Sequence, residues 1–124
     1  MKGQQPEFHW GEGMKYALEG IKILFILNGA AAVSILTFVG NRESGTDELI
    51  YSMVLFSGGA ATGPIALFFA YLTQLKYGNA EMSARNRGYS WAVGFHWVTY
   101  VVVFTGIALF LLGVACAGFG LKQV

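Results

Sequence analysis

The chain has 124 residues, 55% of them hydrophobic and only 12% charged, with a formal net charge of +1 and a mean hydropathy of +0.52. An average soluble domain carries roughly 25% charged residues, so this composition points to lipid as the solvent and gives no basis for a nucleic-acid partner. The single Cys116 excludes an internal disulfide and reads as a small packing residue.

Residues 1–11, opening MKGQQPEFHW, read as a tail that touches the membrane surface through Phe8 and Trp10. From Glu12 the pattern is helical. Met14, Leu18, Ile21 and Phe25 share a face, and Glu12, Lys15, Glu19 and Lys22 alternate in sign at spacings of three and four on another. This predicts a helix over 12–40 whose membrane span covers 21–40. The charged ladder either docks a partner or is a solvated face held by weak ion pairs. The apolar stretch begins behind Glu7, Glu12 and Glu19, too late for a cleaved signal peptide, so the first span is expected to remain. Within it, Asn28, Ala31, Ala32 and Ile35 fall on one face. The Asn28 amide lies deep in an uncharged run and is expected to hydrogen-bond to another helix.

The stretch GNRESGTDE at 40–48 reads as a tight polar turn that ends in a cap, Thr46 or Asp47, for a second span over 50–74. That span carries SGGAATGPIALFFA at 57–70. Gly59 and Gly63 form a G-x-x-x-G pair continued by Ala66 and Ala70, a face that lets another backbone approach closely. Pro64 frees the carbonyl of Ala60 and bends the helix unless Ser57, Thr62, water or a neighbour satisfies it. Residues 75–90 read as a basic loop. Its Lys76, Arg85 and Arg87 set topology and are candidates, with Lys15 and Lys22, for contacts with anionic headgroups or a partner.

The third span, 91–118, is one long or tilted helix, because splitting it leaves no room for a polar turn. His96, Thr99, Val103, Gly106, Phe110, Gly113, Ala117 and Gly120 follow in alternating steps of three and four, the seam of a left-handed helix pair. His96 and Thr99 make this seam polar at one end and are candidates for gating. Alternatively, His96 hydrogen-bonds at headgroup level within a belt of Trp91, Trp97 and Tyr100. Lys2, Lys15, Lys22, Lys76, Arg85 and Arg87 outnumber Arg42 and Lys122 across the membrane, which predicts a cytoplasmic N-terminus and an external C-terminus. The whole chain is thus expected to be one all-α domain, an integral membrane bundle of three transmembrane helices.

No carboxylate falls within a span core, and no metal-ligand pair, phosphate-binding loop or base-oriented nucleophile is present in the sequence. No enzyme activity, cofactor or metal is therefore expected. A haem held by two histidines would have to be shared between subunits, since His9 lies in the tail.

The stretches LFILNGAAAVSILTFVGN (24–41) and FFAYLTQLKYGN (68–79) resemble small uncharacterised bacterial inner-membrane proteins. The resemblance covers the first two spans and implies a multi-pass protein of the inner membrane in a bacterial or prophage setting, with no particular activity. Three small-residue faces offer more contact surface than three helices can use among themselves, which predicts a homo-oligomer or assembly with other membrane subunits. Two readings follow. One is a self-associating protein, a pore, channel or membrane-perturbing effector of phage or antiphage type, with Asn28, Ala32, Gly59, Gly63, Ala66, Gly106, Gly113 and Ala117 at helix-packing or oligomer contacts. The other is a non-catalytic accessory or anchor subunit of a larger membrane complex.

Overall fold

The computed structural model describes the backbone of residues 5–42, 46–83 and 87–124, and the side chains of 11–41, 46–76, 90 and 92–124. The chain folds as three helices, α1 (Gln5–Arg42), α2 (Asp47–Ser83) and α3 (Arg87–Leu121), with no strand among the described residues. Each contains a stretch long and apolar enough to cross a bilayer: Gly11–Asn41, Asp47–Lys76 and Ala92–Leu121.

The helices run past their expected ends. α1 starts at Gln5, so the expected tail is helical over most of its length. Pro6 falls in the first turn, where its fixed φ and missing N–H suit a helix start. α2 continues to Ser83 and α3 begins at Arg87, so little of the expected 75–90 loop remains. Ala80, Glu81 and Met82 are good helix formers, and a single Gly78 costs only about 1 kcal/mol against them. At the other turn, the amides of Leu49 and Ile50 donate to the Thr46 carbonyl at 3.0 and 3.3 Å, which puts Thr46 at the N-cap position, but its buried hydroxyl makes no capping hydrogen bond among the described residues.

α2 is the shared partner. It packs against both α1 and α3, while those two barely meet. The α2–α3 pair is antiparallel and glycine-cut. A Cβ at Gly120 would stand 2.9 Å from Leu49, one at Gly113 2.8 Å from the Phe56 ring, and one at Gly106 would overlap the Thr62 hydroxyl. These glycines recur every seven residues along α3, so each seats a side chain of α2 where any larger residue would hold the helices apart. On the other side of α2, a Cβ at Gly63 would lie 2.9 Å from that of Phe25, and one at Gly59 would overlap the Asn28 amide.

Asn28 is fully buried, but its Nδ2 donates within α1, to the Leu24 carbonyl at 3.0 Å. The expected interhelical hydrogen bond is not made. Its Oδ1 has no hydrogen-bond partner among the described residues and points at the place where Gly59 lacks a Cβ, so a Cα–H of Gly59 faces the oxygen. Buried hydroxyls also turn inward on their own helices: Ser52 to the Leu49 carbonyl (2.8 Å), Thr62 to Gly59 (2.6 Å) and Thr73 to Phe69 (2.8 Å). The Thr62 hydroxyl thus serves the Gly59 carbonyl and not that of Ala60, which Pro64 frees. Among the described residues, close packing rather than polar bridging holds the three helices together.

Candidate functional site

At the end of the bundle that holds the N-terminus, the helices part around a half-open cavity of about 400 Å³. Met14, Leu18 and Ile21 of α1 form its apolar wall, and Ala70 and Thr73 of α2 its base. His96, Thr99 and Tyr100 of α3 close the far side. The cause lies in the α3 seam. Seven residues before Gly106 stands Thr99; at Gly106 α3 comes close to Leu24 of α1 as well as to Thr62 of α2, and the bulk of Val103 and Thr99 toward the N-terminal end leaves α1 standing off α3 there. Gln74 Nε2 approaches Met14 Sδ at 3.9 Å, the one side-chain hydrogen bond between α1 and α2 among the described residues.

The polar groups of the cavity divide by role. Thr73 and Thr99 commit their protons to the carbonyls of Phe69 and Phe95, at 2.8 and 2.9 Å, and so present lone pairs. The His96 ring meets Tyr100 edge-on at 4.7 Å between centroids, and Trp97 lies 6.3 Å from Tyr100. No described lining residue is Asp, Glu, Lys or Arg.

The structure brings His96 and Thr99 together in this cavity. It places Gly59, Gly63, Ala66, Gly106 and Gly113 in buried positions between helices of one chain, and Ala32 and Ala117 in half-buried ones. Lys15 and Lys22 are exposed on α1 and pair with Glu12 and Glu19 at 2.9 and 2.8 Å. Lys76 is exposed on α2; Arg85 and the side chain of Arg87 lie outside the described residues. Sequence reasoning missed Thr73, and it put Met14, Leu18 and Ile21 on one face of α1 without assigning them to a site. The signal for Thr73 was present, since Gly63, Ala66, Ala70 and Thr73 continue one helix face in steps of three and four.

Three apolar spanning helices define an all-α, multi-pass membrane protein. No family model, curated protein or solved structure matches the chain.

Proposed function

We propose that the protein is a non-catalytic, self-associating membrane protein of the bacterial inner membrane, and that copies meet on α1 to form a pore or membrane-perturbing assembly. The observation that carries this reading is an asymmetry in the small residues. Those on the inner faces of α2 and α3 are spent within the chain, whereas α1, beside its half-buried Ala31 and Ala32, leaves Ala30, Ser34 and Thr37 exposed. Opposite the α2 contact, α1 presents the exposed stripe Asn41, Thr37, Ser34, Ala30, Leu27 and Ile23. Lipid covers Leu and Ile well but fits poorly into a groove of small residues, which a second helix fills. The stripe is polar in one half and apolar in the other, the pattern of a wettable vestibule leading to a constriction that gates by dewetting.

The test uses a Cys116→Ser background carrying Ser34→Cys or Thr37→Cys, with Phe104→Cys on the exposed face of α3 as control. Oxidation in native membranes should cross-link the two α1 variants into dimers and leave the α3 variant monomeric. Equal cross-linking of all three, or of none, rejects the interface, and planar-bilayer conductance of the purified protein then tests the pore.

The anchor reading rests on a separate observation. α1 has 38 residues, about 57 Å at 1.5 Å per residue, against a hydrocarbon core of about 30 Å. Its N-terminal turns and the last turns of α2 therefore extend beyond the membrane on one side, a stalk to which a partner can bind. Co-purification of a second protein, lost on reversing the charges of Lys15, Glu19 and Lys22, favours it.

A further inference from the structure

The cavity at the N-terminal end points to a ligand, and its chemistry restricts which. We infer that it binds a neutral amphiphile: an apolar chain lying along Leu18 and Ile21, and an uncharged head with carbonyl or hydroxyl oxygens seated between Thr73, His96, Thr99 and Tyr100.

Size, depth and charge support this. A volume of about 400 Å³ lies in the range of small-molecule sites. The uncharged run of α2 ends at Lys76 and that of α3 begins after Arg87, with Trp97 and Tyr100 following, so Thr73 and His96 stand near the boundary between acyl chains and headgroups. Membrane amphiphiles carry their polar atoms at this depth. A head seated there meets two hydroxyl acceptors and two donors, the imidazole N–H of His96 and the phenol of Tyr100. No described lining residue carries a formal charge to balance a phosphate or carboxylate. Of the described lysines at this end, Lys15 and Lys22 are already paired with Glu12 and Glu19, and Lys76 is exposed on α2 outside the cavity lining. A charged head would enter this site uncompensated, whereas a neutral one exchanges its water hydrogen bonds for those of the site.

Two kinds of molecule share this chemistry, a neutral acylglycerol and a quinone or quinol with an apolar tail. Full-length protein in detergent is titrated with monooleoylglycerol, with a decyl-benzoquinone and with oleoyl-lysophosphatidylglycerol, and binding is followed by native mass spectrometry. Saturable binding of either neutral probe at least about tenfold tighter than the anionic one is expected, a difference of about 1.4 kcal/mol; which neutral probe binds assigns the source. Ala17→Phe and Ala70→Leu fill the cavity and should weaken that probe by about tenfold or more, as should His96→Phe, which keeps a ring but removes the donor. Val101→Phe, the same bulk on the exposed face of α3, should leave it unchanged. Helicity and melting temperature, measured for each variant, separate a lost site from a lost fold.

Equal binding of the anionic probe, no saturable binding of either neutral probe, or equal loss in Val101→Phe overturns the assignment. The cavity lies within one chain, so a monomer that fails every test of assembly should still bind.

Discussion

The two ends of the bundle are built from the same three helices on opposite principles. Toward the α1–α2 turn and the C-terminus, Gly106, Gly113 and Gly120 of α3 each admit a side chain of α2, and the helices meet almost backbone to side chain. Toward the N-terminus the same face of α3 carries Val103, Thr99 and His96, and α1 stands off α3 around a cavity while α2 and α3 stay in contact through Phe69 and Phe95. In lipid, where apolar surface gains little by leaving the solvent, such a change in side-chain volume along one seam decides where a helix pair is tight and where it is open. The tight end specifies the fold, and the open end is left for binding.

The most direct way to break this contrast is to put bulk into the tight end. Gly106→Leu drives a side chain into Thr62 and Leu24 at the point where all three helices approach, and Gly113→Leu meets the Phe56 ring. Each is expected to lower stability by about 3 kcal/mol, the upper range for overpacking a core, read as a lower denaturant midpoint in detergent. Gly94→Leu and Gly118→Leu enter open space on the same helix and should stay within about 0.5 kcal/mol of the parent. Equal loss in both pairs would mean that α3 does not seat on α2 through its glycines.

The Asn28–Gly59 contact sharpens the same point. Gly59→Ala places a methyl where the Asn28 amide oxygen lies, so it should destabilise by about 1–3 kcal/mol. Shortening the partner by Asn28→Ala makes room, so the double variant should recover part of that loss. A coupling of at least about 0.5 kcal/mol in the double-mutant cycle is expected, because the two positions touch. Strict additivity would contradict the contact.

Much of this architecture is legible in the sequence, for a physical reason. Long uncharged runs can be satisfied in only one way in lipid, so three spans followed from the charges alone. The period of 3.5 along residues 96–120 marked a face of α3, and the glycines of that face lie against α2. The direction of the Asn28 amide was not legible, because a carbonyl on its own helix competes with any neighbour and the winner depends on local approach. Nor could spacing show whether a glycine pair serves the same chain or a second copy. Gly59 and Gly63 look the same in either role, and only the positions of Asn28 and Phe25 distinguish them. The cavity was harder still, since it arises from a failure of two helices to meet and has no motif.

At the open end, added bulk should act in the opposite direction. Ala70→Leu extends into the cavity and should raise stability by about 0.5–2 kcal/mol, as cavity-filling changes commonly do, while weakening ligand binding there. A destabilising result would show the cavity to be occupied or collapsed in the membrane.

The smallest effect belongs to the charged ladder at the same end. Lys15 with Glu12 and Lys22 with Glu19 form close pairs, yet both pairs are largely exposed to solvent on α1. Exposed pairs at this spacing exchange one set of water contacts for another and lose side-chain freedom in doing so. Glu12→Gln or Glu19→Gln should therefore change stability by no more than about 0.5 kcal/mol, and less as salt is added. Such a change releases a lysine without disturbing the fold, so it isolates the role of charge at this end. If Glu19→Gln raises affinity for the anionic lysophospholipid while the unfolding midpoint stays fixed, then the pairing of Lys22 keeps anionic heads out, and neutrality of the site is a property of α1 as well as of the cavity wall. An unchanged preference assigns selectivity to Thr73, His96, Thr99 and Tyr100 alone.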